Sequence, residues 1–158
     1  MDEDKDSAAH KLKLDKFNFL SNESYRYRNY GKKSIIPGQR IEVVFFQPDF
    51  NSGILKISKR KRAGSLLQIF TDDELIIVKS EKGPRKGQTK YICNYFFIPI
   101  KKIMEIKLEI TKYNYYSQQI YLFGGRILTF KILFTNFDLE IFRTVIRRLH
   151  KTGDDYAP

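Results

Sequence analysis

Tryptophan is absent from this 158-residue sequence, cysteine occurs once (Cys93) and histidine twice (His10 and His150). A single cysteine excludes a disulfide within the chain. Set inside an apolar run, Cys93 is expected to be a buried, inert thiol. One cysteine and two histidines cannot form a zinc site of the usual Cys and His type. A Ser-His-Asp set would have to recruit a histidine from the N-terminal segment or from the end of the last helix. No apolar run approaches the roughly 20 residues of a membrane-spanning helix. The acidic, polar start MDEDKDSAAH does not read as a secretory signal. The simplest expectation is a cytoplasmic, reducing setting, with any membrane contact peripheral. Acidic residues are also short: 18 against 29 basic ones, a formal net charge of +11. The excess is +2 over residues 1–39, +5 over 40–90 and +4 over 91–158, so no acidic tail balances it. Such a charge attracts polyanions and anionic lipid at long range, and also keeps a lysine-rich surface soluble.

Aromatic residues are plentiful, with 13 Phe and 10 Tyr. Together with β-branched residues they fit pleated sheets, and the pattern along the chain is mostly that of short strands. Residues 1–16 are charged and poorly patterned. Residues 17–39 mix aromatics with cations and close on the turn Pro37-Gly38. Strands are expected at Ile41–Gln47, Ile54–Ser58, Ser65–Phe70 and Glu74–Lys79. Tyr91–Ile98 shows little alternation, which implies burial on both faces or a bulge. Pro99 belongs at a strand end. In Ile100–Thr111, the residues Met104, Ile106, Leu108 and Ile110 alternate with Glu105, Lys107 and Glu109, the period of a half-buried strand. A tyrosine-rich connection, Lys112–Gln119, leads to a short strand at Gln119–Phe123, the tight turn Gly124-Gly125 and a last strand at Ile127–Phe134. The period then changes. Leu139, Phe142, Val145, Ile146 and Leu149 share one face of a helix from about 137 to 150. Thr135 and Asp138 have capping-box spacing, and the charges at the two ends suit the helix dipole.

No catalytic set emerges from these elements. Glu105 and Glu109 lie four residues apart on one strand, roughly 13 Å, too far for paired carboxylates and suited to a solvated face. GPRKGQTK at 83–90 lacks the GxxxxGK[ST] of a phosphate loop. Gly124-Gly125 makes a hairpin, not a phosphate cradle. The chain is therefore read as noncatalytic and without a cofactor. Two groups could bind something. Lys59, Arg60, Lys61 and Arg62 repel one another into solvent and, with Lys82, Arg85 and Lys86 as a second wall, could grip phosphate oxygens. Tyr25, Arg26, Tyr27, Arg28 and Tyr30 interleave aromatics with cations, a pattern that can stack on nucleic-acid bases or pack an arm onto the domain.

A series of seven or eight antiparallel strands followed by one amphipathic helix resembles the pleckstrin-homology-like superfold. The stretch SLLQIFTDDELIIVKSEKG, with Thr71 before a turn and the apolar run Leu75–Val78, looks like its GRAM-type and bacterial PH-like branch. So does Ile98-Pro99-Ile100 at a strand junction. The resemblance implies a mainly β protein: a bent antiparallel sheet or partly open barrel capped by a C-terminal helix, with Phe142 standing where many relatives place a tryptophan. An eighth strand would belong to an extension. The resulting organisation is a flexible or packed N-terminal arm at 1–34, a PH-like domain at 35–151 and a tail at 152–158. Family members dock to proteins or to phosphoinositides. The partners expected are therefore a protein or an anionic membrane lipid, with nucleic acid as the alternative.

Overall fold

The computed structural model describes residues 25–48, 50–51, 62–82, 91–111, 115–133 and 136–153. A helix, α1 (Tyr25–Ser34), precedes strands β1 (Ile41–Gln47), β2 (Phe50–Asn51), β3 (Arg62–Ala63), β4 (Leu66–Thr71), β5 (Glu74–Lys82) and β6 (Tyr91–Pro99). A 3-10 turn (Ile100–Lys102) leads to β7 (Ile103–Ile110), β8 (Tyr116–Leu122), β9 (Ile127–Ile132) and the terminal helix α2 (Asn136–Gly153). The strands form two main antiparallel sheets, β1-β4-β5-β6 and β7-β8-β9, and a two-stranded ribbon, β2-β3. The sheets do not join into a closed barrel. The expected fold class, mainly β with one C-terminal amphipathic helix, is what the chain adopts.

The central strands β4 and β5 are covered on both faces, so Leu66–Thr71, apart from Gln68, and Leu75–Val78 read as apolar runs and not as alternating ones. Its inner face presents Phe45, Leu66, Phe70, Leu75, Ile77 and Ile98 to Ile106, Ile120, Phe130 and Ile132 of the second sheet. Phe142 of α2 is fully buried between them, with its ring centroid 5.2 Å from that of Phe45 and 5.6 Å from that of Phe70. Val145, Ile146 and Leu149 extend the same helical face onto this core, and Leu139 of that face is buried, as their spacing predicts. The outer face, with Leu67, Ile69, Ile76 and Val78, is covered by Tyr27 of α1. The sequence reading has residues 1–34 as a flexible or packed arm; Tyr25–Ser34 packs on the sheet through Tyr27, and its helical form is the added finding. Its buried positions Tyr27, Gly31 and Ser34 have helical spacing, but two of the three are small, so the hydrophobic signal is faint.

Polar side chains stitch the two sheets together. The amides of Gln68 and Gln118 are buried and bond reciprocally, Nε2 to Oε1, at 2.8 and 3.2 Å. Gln47 extends β1 towards β9: its Nε2 donates to the Lys131 carbonyl (2.8 Å), and its Oε1 accepts from the Leu133 amide (2.9 Å). Its side chain makes the bonds a neighbouring strand would make, at one corner where the sheets meet. At the other corner, the Ile100 amide bonds to the Asp73 carbonyl (2.8 Å). The Thr71 hydroxyl fixes the turn before β5, accepting from the Glu74 amide and donating to the Glu74 carbonyl, each at 2.9 Å.

Several boundaries differ from expectation. Strand β7 begins after the 3-10 turn, and its register with β8 shifts between Ile103 and Glu105. Ile103, not Met104, therefore packs on the core, and Met104 is 52% exposed. Ile110, at the strand end, is 72% exposed. Strand β8 starts at Tyr116, earlier than Gln119, because the buried residue there is the polar Gln118. The low alternation of β6 comes neither from burial on both faces nor from a bulge. Its register with β5 is unbroken, and Tyr95 and Phe97 are exposed on the outer side. Cys93 is half-buried there. The expected strand Ile54–Ser58 and the cap at Thr135 lie outside the described residues.

Candidate functional site: the basic end of the four-stranded sheet

Strand directions decide which connections share an end. β1 pairs antiparallel with β4 so that Gln47 faces Leu66, and β4 pairs with β5 so that Leu66 faces Lys79. β5 pairs with β6 so that Lys82 faces Tyr91. The connection from β1 to β4, residues 48–65, and the connection from β5 to β6, residues 83–90, therefore leave the same end of the sheet. The first carries five basic residues and one acidic, the second three basic and no acidic, a net of seven positive charges out of eleven.

The base of this end is tightly built. A Cβ at Gly64 would collide with the Ser80 carbonyl oxygen, so only glycine allows the approach. The Ser80 amide donates to the Ser65 carbonyl (3.0 Å). The Tyr27 hydroxyl donates to the same carbonyl (3.1 Å) and to Ser65 Oγ (2.8 Å), tying α1 to the root of the first connection. The short β2-β3 ribbon, Phe50 facing Ala63 and Asn51 facing Arg62, carries that connection outward.

The residues singled out from the sequence are distributed as follows. The backbones of Arg62 and Lys82 lie on β3 and at the end of β5. Lys59, Arg60, Lys61, Arg85 and Lys86 lie outside the described residues, within the two connections. The aromatic and basic set lies on α1. Tyr27 is buried, its ring 5.0 Å from that of Phe46. Tyr30 is half-buried and meets Tyr95 edge-on at 6.0 Å. The side chains of Tyr25, Arg26 and Arg28 lie outside the described set. Glu105 is 3.4 Å from Lys107, and Glu109 accepts a bond from Gln119 (3.3 Å), both on the exposed face of β7.

Strand β6 carries an exposed aromatic surface. Tyr95 and Phe97 stack with ring planes 7° apart and centroids 6.4 Å apart. Partial burial, and then the neighbouring Cys93, Tyr30 and Tyr27, hold the Tyr95 phenol above its ordinary value of 10.0. The sequence signal was the uncharged run Tyr91–Pro99, which does not reveal which residues face outward. Among the described residues, no three His, Cys, Asp or Glu side chains gather as a metal site requires, and no helix is long and apolar enough to cross a membrane.

No family model matches the chain, and no curated protein matches it. Among solved structures, the hSac2 domain from human phosphoinositide phosphatase Sac2 is similar, with a TM-score of 0.52, 10% identity, and coverage of 84% of this chain and 85% of that one. At this identity the likeness is one of fold: a mainly β protein with a C-terminal helix.

Proposed function

We propose that this chain is a noncatalytic docking module that binds an anionic, phosphoinositide-containing membrane surface through the connections 48–65 and 83–90. The observation that carries this reading is the strand register, which brings both basic connections to one end of the four-stranded sheet. Seven long strands followed by a helix, with the extra ribbon confined to the first connection, support a PH-like assignment. The similar domain comes from a protein whose name includes phosphoinositide phosphatase, which is consistent with lipid docking. Clustered lysines and arginines near an anionic surface contribute about 1 kcal/mol each. A protein partner is the second reading, favoured by the stacked Tyr95 and Phe97 on the edge strand β6. Of the residues in the nucleic-acid alternative, Tyr27 is buried on the sheet and bonded to Ser65, which argues against base stacking by that ring.

Co-sedimentation with vesicles tests the reading. Wild type is compared with a variant in which Lys59, Arg60, Lys61 and Arg62 are changed to Ser. Vesicles are neutral, anionic, or anionic with phosphoinositide. The expected result is stronger binding to the phosphoinositide vesicles, reduced in the variant by much more than on the merely anionic ones. Equal wild-type binding to neutral and anionic vesicles contradicts it.

A further inference from the structure

The opposite end of the molecule has a different make-up. There the 3-10 turn meets the β8-β9 hairpin, joined by a bond from the Phe123 amide to the Lys102 carbonyl (3.0 Å). Gly124 and Gly125 have φ of 92° and 80°, which lets the hairpin turn tightly. Phe123 is 65% exposed at its tip, and Ile127 beside it 52%. Met104, turned outward by the β7 irregularity, adds a third exposed apolar side chain. Lys101, Lys102 and Arg126 are exposed among them, and none of the three is in an ion pair among the described residues. The exposed carboxylates at this end are Glu105, near Lys107, and those of the adjoining turn, Asp72 and Asp73. Asp72 accepts a bond from the Arg40 amide.

Large apolar side chains on a fixed tip, interleaved with cations, suit the boundary between lipid headgroups and acyl chains. The apolar groups enter and the cations stay at the phosphates. A protein interface is a poorer fit, because lysine is depleted at interface centres. We propose that the β8-β9 tip is a second contact for anionic lipid, so that one copy bridges two anionic surfaces. Strand β6, nine residues, runs from one end to the other, a separation of roughly 30 Å. This goes beyond the basic-end reading, and each end stands or falls separately.

The test uses the full chain and vesicles of phosphatidylcholine with phosphatidylserine and a phosphoinositide. Four proteins are compared: wild type, the Phe123→Ser/Ile127→Ser variant, the variant with Lys59, Arg60, Lys61 and Arg62 changed to Ser, and the combination of the two. Thermal unfolding first shows all four folded. Co-sedimentation reads binding, and light scattering reads vesicle clustering. Wild type is expected to cluster vesicles. Each variant altered at one end is expected to bind through its remaining end without clustering. Adding Phe123→Ser/Ile127→Ser to the loop variant is expected to weaken its binding by roughly tenfold or more. A loop variant that does not bind, or a tip variant that clusters like wild type, overturns the proposal. A tip variant that does not bind instead overturns the basic-end reading. Wild type that sediments as a dimer through the tip would make this surface an interface between copies and would also overturn the proposal.

Discussion

Gln68 and Gln118 sit where an apolar residue is expected, at inward positions of β4 and β8, and each buried amide bonds to the other. The sequence does not reveal such a pair, because each glutamine alone reads as a solvent position and their partnership spans fifty residues. Gly64 is similar: its need for glycine comes from the Ser80 carbonyl across the sheet, not from its own backbone angles. The buried pair has an asymmetric cost. Changing Gln118 to Leu leaves the Gln68 amide buried without its partner and should lower stability by about 1–3 kcal/mol. Changing both to Leu should restore much of that loss, because no polar group is then stranded. Urea unfolding of the two single variants and the double variant checks this. A double variant weakened by the sum of the single effects would show that the two amides do not act as a pair.

At the scale of elements, the strongly periodic segments were legible and the polar or glycine-containing ones were not. The terminal helix announced itself through five apolar residues on one face, and its Phe142 fills the space between the sheets. The first helix was hidden because its buried stripe is Tyr27, Gly31 and Ser34. The shift in β7 was invisible, since a bulge moves the alternation by one residue without changing composition. The two helices should therefore differ in what they contribute. Phe142→Ala empties a buried ring site against Phe45 and Phe70 and should cost about 3–5 kcal/mol. Tyr27→Phe keeps the ring contacts and loses the hydroxyl bonds to Ser65, a cost of about 1 kcal/mol. Thermal or urea unfolding separates the two, and equal costs would mean that α1 is held mainly through that hydroxyl.

On the scale of the whole molecule, charge is concentrated. Seven of the eleven net positive charges fall on two connections at one end of the four-stranded sheet. The basic run Lys59–Arg62 was legible in the sequence, but its meeting with the second connection required the strand pairing. The exposed tip at Phe123 was not legible, because an apolar residue before two glycines reads the same whether it packs or protrudes. The central claim is that the basic end is the ligand-binding end. Amide chemical shifts during titration with a soluble short-chain phosphoinositide test it most directly. The predicted result is perturbation grouped at residues 62–66, 79–82 and 91–93, around the roots of the two connections. Perturbation confined to α1 or to the β8-β9 tip, or none at all, would contradict it.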